Sequence, residues 1–522
     1  TKQASIKHIT VTIRLLRLPQ ISSGISIMKA QAIRLVDYSA DTSAQDTINH
    51  PIVRSLKVLL LKPYQPIPVP AHAPPIGLLY LASNIRAALE EHVEVRVVDM
   101  KLRLMKEETF DQILQEFQPD VVGFSALNYE AYAGHALAER IKTQNPKIIT
   151  VFGGPYALKN AEKILQDSNI DWVFEGSADR TFTQALLQLA QGRLPDESIL
   201  GMSFRRKDNS IFLSTRQDQI NDLDSLLPPA WDAIDISAYA KVSNMANNLR
   251  GKRYALLFTS RGCPYLCNYC HDLFSKKFVY HSVDYVVAEI ERLHEEYGVD
   301  EFHIVDDIFN LHKPRLKAIM GEVKRRWPGK LKFAFPNGLR ADILDEETIN
   351  ALADAGTYLV GVAIETVTPR LQKLVEKNLD IEKTRNAIHM LSKRNIHING
   401  FFMLGFPTET PEEIKNTINF AVSSDITLAY FFFVTPQPGT PMYDLAIQEN
   451  PEVTKKLGEI DAARYRQNSW YEHAYQYPLT KLTRYASLRF YLSPKRATRI
   501  LKHLGYRNFW RSFVGFVQMF FK

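Results

Sequence analysis

Outside one eight-residue window this chain has no cysteine: Cys263, Cys267 and Cys270 are its only three in 522 residues. An odd number of thiols with no partner elsewhere excludes a disulfide framework and points to a reducing, cytoplasmic setting. Long apolar runs are missing too. One long uncharged stretch, Ile426 to Tyr443, is broken by Pro436, Pro438 and Pro441. No segment reaches the ~18–20 apolar residues needed to cross a bilayer. Acids are absent from both ends: residues 1–36 carry six Lys or Arg, residues 473–522 carry ten, and neither carries Asp or Glu. Removing both ends from the overall charge of +7 leaves −9 on residues 37–472. An acidic body argues against a broad nucleic-acid-binding face, and no nucleic-acid partner is expected.

What is present is concentrated in Ser260-Arg-Gly-Cys-Pro-Tyr-Leu-Cys-Asn-Tyr-Cys-His271. Three thiolates in one loop suggest a metal centre. Tetrahedral zinc would need His271 as a fourth ligand, and structural zinc sites usually pair two C-x-x-C knuckles where this chain has one. Short, mixed spacings favour an iron–sulfur cluster. Three thiolates are one too few to close a [4Fe-4S] cube, so one iron is left for another ligand.

Residues 56–195 alternate short apolar runs with helical patterns. Strands are predicted at Leu56–Leu61, Val93–Val98, Val121–Ser125, Ile148–Phe152 and Trp172–Phe174. Helices are predicted at Gly77–Leu89, Thr109–Phe117, Ala131–Lys142, Leu158–Leu165 and Thr181–Ala190. This is a doubly wound α/β layout. Gly201–Ser214 reads as a hairpin around Asp208-Asn209, and a turn-rich connector follows. From Tyr254 the pattern restarts, with strands at Ala255–Thr259, Glu301–Val305, Lys332–Phe335, Leu359–Ile364, Ile396–Leu404 and Leu428–Val434. Six βα units fit a partial barrel, with ligands at the carboxyl ends of its strands. The expected division is an N-terminal extension over 1–55, a candidate for disorder, then a Rossmann-like domain over 56–200. A hairpin and linker over 201–252, a barrel over 253–450 and a helical basic region over 451–522 complete it. No secretory signal is read in residues 1–27. A start at Met28 or a fragment boundary is the plain reading, and a transit peptide is the weaker one.

In Cys263-x-x-x-Cys267-x-Tyr269-Cys270 the chain resembles the radical S-adenosylmethionine (SAM) superfamily. The resemblance implies that the open iron binds SAM, that Tyr269 supplies the motif's aromatic residue, and that an electron from the cluster cleaves SAM. It also implies SAM contacts from Glu365, ending the fourth barrel strand, and from Asp306 of the Asp306-Asp307 pair. The segment Gly400-Phe-Phe-Met-Leu-Gly-Phe-Pro-Thr-Glu-Thr410 resembles the family's adenine-side strand. Upstream, Pro74-Pro-Ile-Gly-Leu-Leu-Tyr-Leu-Ala82, Val97-Val-Asp99, Pro119-Asp-Val-Val-Gly-Phe-Ser-Ala-Leu127 and Val151-Phe-Gly-Gly154 resemble the cobalamin-binding domain of the family's B12-dependent class. Ser125, Leu127, Gly153 and Gly154 are the expected cobalamin contacts, with small side chains and bare backbone admitting a nucleotide-like tail.

Three positions depart from the pattern. Lys101 stands where many cobalamin proteins have an axial histidine, which implies a cobalt without a histidine ligand. Tyr156 stands where a histidine is common, and Glu175-Gly-Ser-Ala-Asp179 replaces a Gly-Glu-Gly-Glu run. His72, in the loop after the first strand, is a lesser candidate for the cobalt side.

These readings imply a cobalamin-dependent radical SAM enzyme, foremost a C-methyltransferase acting on an unactivated carbon. A non-methylating cyclase or ring-rearranging enzyme is the alternative, and a non-catalytic cobalamin-binding regulator the rival from another class. The absence of further cysteines excludes a second cluster and a methylated-cysteine mechanism. Expected partners are a small-molecule substrate with hydrophobic character and an electron donor such as flavodoxin or ferredoxin. Phe509, Trp510, Phe513, Phe516, Val517 and Phe520 fall at helical spacing among basic residues. That pattern suits either a helix docked on the protein or one lying on an anionic membrane.

Overall fold

The computed structural model describes residues 50–64, 71–102, 107–246, 248–270, 273–436, 440–458, 469–494, 496–503 and 505. The expectations placed on residues 1–49, on His271 and on the aromatic series 509–520 lie outside them.

The first half is built on a seven-stranded sheet in the order β2-β1-β3-β4-β5-β6-β7. Its strands are β1 (Leu56–Lys62), β2 (Val93–Asp99), β3 (Val121–Ser125), β4 (Ile149–Gly153), β5 (Trp172–Phe174), β6 (Met202–Arg205) and β7 (Ile211–Phe212). The first five pair in parallel, and β6 and β7 are added antiparallel. The Leu-Lys-Val-Leu-Leu-Leu-Lys sequence of β1 is apolar on both faces because helices cover both. Leu56, Val58 and Leu60 pack in one core cluster, Leu59 and Leu61 in another. The order 2-1-3-4-5 reverses between β1 and β3, which opens a ligand crevice at the carboxyl ends of those strands.

The second half is a six-stranded parallel sheet whose strands neighbour one another in chain order. They are β8 (Tyr254–Leu257), β11 (Glu301–Ile304), β12 (Lys332–Phe335), β13 (Thr357–Glu365), β14 (His397–Leu404) and β15 (Leu428–Phe433). Helices such as Val283–Tyr297 and Pro411–Ser423 return between them. Local chemistry sets their ends. Ser282 caps the first, and Gly298 closes it at φ 65°. Thr410 and Glu413 form a capping box on the second. A two-residue pair, β9 (Ser260–Arg261) with β10 (Val279–Tyr280), is an addition that the strand pattern did not foretell.

Between the halves the chain is packed rather than loose. Trp231 is fully buried, and its indole N–H donates to Glu289 at 3.3 Å. One continuous core runs from β1 through Tyr80, Trp231 and Tyr239 to Tyr254 and Phe302 of the barrel. The helix Leu479–Tyr491 docks on the barrel through Leu479, Ala486 and Phe490. The Arg496 side chain donates to the carbonyls of Ala421, Val422, Ser424 and Ile426. The described part of the basic C-terminal region is therefore held against the protein.

Candidate active site

The cysteine loop is strung between β9 and β10, and its geometry begins one strand earlier. Asp306, buried after β11, accepts three hydrogen bonds of 2.6 Å, from the Thr259 amide, the Thr259 hydroxyl and the Ser260 hydroxyl. Asp307 accepts from the Gly262 amide at 3.0 Å. The buried Arg315 guanidinium donates to the carbonyls of Thr259 and His281 at 2.7 and 2.8 Å. Gly262 takes φ +82°, and a Cβ there would lie 2.1 Å from the Lys277 carbonyl oxygen, so only glycine fits this turn. Asp306, the residue expected beside SAM, has its carboxylate engaged by residues 259 and 260.

Within the loop, the Cys270 amide bonds the Cys267 carbonyl at 3.1 Å. Asn268 is tied to the carbonyls of Val375 and Leu374, and Arg340 lies 3.7 Å over the Tyr265 ring. Burial, and then the charges of Asp307 and Cys267, push the Cys263 thiol up; burial, and then the charges of Cys267 and Cys263, do the same to Cys270. A shared cation would reverse that repulsion. Among the described residues no three ligating side chains converge on a single ion.

Beside the loop, Tyr269 packs near Phe406 and reaches Glu365 through a long hydrogen bond of 3.4 Å. The Lys377 ammonium donates to the same Glu365 oxygen at 3.0 Å. Glu365 ends β13 at φ +64°, just past a register shift against β14. A non-glycine residue in that region is strained, and such strain gathers at functional sites. At the exit of β14, Glu409 accepts from the Gly405 and Phe406 amides at 2.6 and 3.0 Å. Burial pushes its carboxyl up to about 8. Neither Lys377 nor Glu409 was singled out from sequence, although Glu409 lies within the Gly400–Thr410 segment.

In the other half, Ser125 and Gly153 end β3 and β4 directly opposite each other. Gly154 takes φ +79°, and a Cβ on it would meet the Ser125 hydroxyl at 2.7 Å and the Ala126 amide at 3.2 Å. A Cβ on Gly153 would meet nothing nearer than 3.9 Å. The crevice is thus open backbone, suited to the nucleotide-like tail of cobalamin. Leu127 follows β3, and its amide is held by Glu130 at 3.0 Å.

The three departures resolve differently. Lys101 is buried, and its ammonium donates to the Ala71 carbonyl at 2.9 Å. Tyr156 is bonded to His135 at 3.2 Å, and His135 to Asp167 at 2.6 Å. Glu175 accepts from the Lys159 amide at 2.7 Å, whereas Asp179 turns to Arg261 of the barrel. His72 pairs with the connector: its amide donates to Ser243 at 2.7 Å, and its carbonyl accepts from Tyr254 at 3.2 Å. An open groove of about 540 Å³ lined by Arg385, Asn419 and Arg489 shares no residue with the cysteine loop or the crevice.

The two sites correspond to two family models: the B12 binding domain matches residues 67–186, and the radical SAM superfamily matches residues 257–421. An uncharacterized methyltransferase of Pyrococcus horikoshii is 30% identical over 83% of this chain and 91% of its own length. The cytidylyl-2-hydroxyethylphosphonate methyltransferase of Streptomyces wedmorensis is 29% identical over 76% of this chain and 82% of its own. The anaerobic magnesium-protoporphyrin IX monomethyl ester cyclase of Rubrivivax gelatinosus is 25% identical over 75% and 68%. In fold, the chain is similar to the radical SAM methyltransferase TsrM of Kitasatospora setae, solved with cobalamin and a [4Fe-4S] cluster. The TM-score is 0.62 at 19% identity, covering 76% of this chain and 78% of that one.

The chain belongs to the radical SAM superfamily, in the class that carries a B12-binding domain. It is an enzyme, and its cofactors are a [4Fe-4S] cluster, SAM and cobalamin.

Proposed function

We propose that the enzyme transfers a methyl group to an unactivated carbon of a small-molecule substrate. When bound, the cluster supplies the electron that cleaves SAM to a 5′-deoxyadenosyl radical, and cobalamin carries the methyl group. The observation that carries this reading is the pairing of one cysteine triplet with one cobalamin-type crevice in a chain that has no further thiol. Its similarity to two methyltransferases over most of their lengths supports it.

Cys263, Cys267 and Cys270 hold the cluster in this reading. Tyr269 and the Glu365–Lys377 pair face the SAM side, and the amides of Gly405 and Phe406 are set by Glu409. Ser125, Leu127, Gly153 and Gly154 line the cobalamin tail. The chemistry calls for a low-potential donor such as flavodoxin or ferredoxin and a reducing compartment such as the cytoplasm. Among the described residues no helix is long and apolar enough to cross a membrane. The basic, aromatic composition of residues 506–522 supports peripheral membrane contact as part of the reading. Liposome flotation with and without those residues tests it, and unchanged flotation removes it.

The test of the reaction is anaerobic turnover with labelled SAM against candidate extracts. A product heavier by one methylene, with S-adenosylhomocysteine and 5′-deoxyadenosine formed in comparable amounts, is the expected result. A cyclase is the second reading, favoured by the similarity to the magnesium-protoporphyrin cyclase. It would release 5′-deoxyadenosine without S-adenosylhomocysteine.

A further inference from the structure

Arg261 lies two residues before Cys263, and Asp179 opens the helix Thr181–Ala190 of the cobalamin half. They meet in a two-pronged ion pair, with Nη1 to Oδ2 at 2.7 Å and Nη2 to Oδ1 at 3.2 Å. Their side chains are only 6% and 8% exposed. The guanidinium also stands 5.2 Å from the ring of Tyr80, in the cobalamin half, and 5.0 Å from that of Phe274, in the cysteine loop. Each half thus supplies one aromatic face to the same cation.

Such a pair adds little net stability, because removing two charges from water offsets their attraction. What a two-pronged fork provides is fixed distance and fixed orientation. The surroundings make that rigidity count. On the barrel side, residues 259, 260 and 262 are locked by Asp306, Asp307 and Arg315. On the other side, Asp179 follows β5 at the carboxyl end of the cobalamin sheet. A stiff path therefore joins the cluster loop to the cofactor edge of that sheet, and it bypasses the long connector.

We propose that Arg261 and Asp179 are positioning residues that set the separation and tilt of the cobalamin crevice against the cluster loop. The proposal rests on the methyl-transfer reading for its kinetic consequence. Cleavage of SAM needs only the barrel and its cluster, whereas methyl transfer to cobalamin needs the two halves in register.

The test uses the reconstituted holoenzyme with cluster and cobalamin. Asp179→Asn removes one charge of the pair. The double variant Arg261→Met with Asp179→Leu removes both and leaves no unpaired buried charge, so it decides the matter if the single variant fails to fold. Three quantities are read: 5′-deoxyadenosine, S-adenosylhomocysteine, and the dipolar coupling between the reduced cluster and cob(II)alamin by electron paramagnetic resonance. Deoxyadenosine is expected to hold within about twofold, while S-adenosylhomocysteine falls on the order of tenfold to a hundredfold, the usual cost of an ångström-scale misplacement. The single cluster–cobalt coupling of the parent should smear into a distribution. Unchanged coupling and unchanged S-adenosylhomocysteine in the variants would overturn the proposal. So would a parallel fall of deoxyadenosine and iron content, which marks plain loop damage. If the parent enzyme makes no S-adenosylhomocysteine and the coupling still smears, methyl transfer fails and the positioning role stands.

Discussion

At the ends of β3 and β4 the crevice proposed for cobalamin presents Ser125, Gly153 and Gly154, with no charged side chain among them. Around the cysteine loop the contacts are between charged and polar side chains: Tyr269 of the loop reaches Glu365, which pairs with Lys377. The contrast follows from what each half holds. A long, flexible nucleotide tail needs room and backbone, so the decisive residues there are those that lack a side chain. A charged cluster and a zwitterionic ligand need fixed donors and acceptors, so the decisive residues are side chains and the braces behind them. Damage should therefore separate cleanly between the two cofactors.

The largest separation is expected for Cys267→Ala. Iron content and SAM cleavage should be lost together while cobalamin binding persists, measured by iron analysis, deoxyadenosine release and cobalamin absorbance. Retained cleavage would break the assignment of the loop. Gly262→Ala should come next, since its Cβ would collide with the Lys277 carbonyl at 2.1 Å and positive φ adds roughly 1–3 kcal/mol of strain. Several-fold lower iron loading with normal cobalamin content is the expected pattern. Gly154→Ala is the mirror experiment. Crowding the Ser125 hydroxyl at 2.7 Å should weaken cobalamin on the order of tenfold, about 1.4 kcal/mol, and leave iron content unchanged. Equal loss of both cofactors in either glycine variant would show that the two sites are not separable.

The smallest effect concerns Glu409. Burial raises its carboxyl from 4.5 to about 8, so the folded protein keeps a proton that the unfolded chain gives up. Its contribution to stability is complete below pH 4.5, is lost as pH rises to about 8, and is level above that. Glu409→Gln retains an oxygen acceptor for the Gly405 and Phe406 amides and removes the titration. Thermal unfolding of the holoenzyme across that window should fall with pH in the parent by a few degrees more than in the variant. Parallel curves would show that Glu409 does not titrate there.

The strands were legible nearly to the residue because both sheets bury continuous apolar runs. β3, β5 and β12 begin and end where expected. The helix expected from Leu158 starts only at Ala161, since Lys159 adopts φ +58° and gives its amide to Glu175. That partner lies a whole strand away and leaves no local trace. The β9–β10 pair escaped notice because two-residue strands carry no period. Within the site, the thiols were legible because chemistry ties their type and spacing together. Asp306 and Asp179 were visible as acids, but their partners, Thr259 with Ser260 and Arg261, are set by the fold. Lys377 has no mark at all, since it meets Glu365 only through the turn after the helix Pro369–Leu374.

The six barrel strands do not close, which leaves β8 and β15 as borders with hydrogen-bonding groups turned outward. Such borders invite strands from neighbouring molecules. The Tyr491 hydroxyl donates to the Ala429 carbonyl of β15 at 3.0 Å, and the helix that carries it lies along the same border. The C-terminal helix thus also guards against self-association. A chain cut before Leu479 would lose the Tyr491 contact and leave more of the β15 border uncovered.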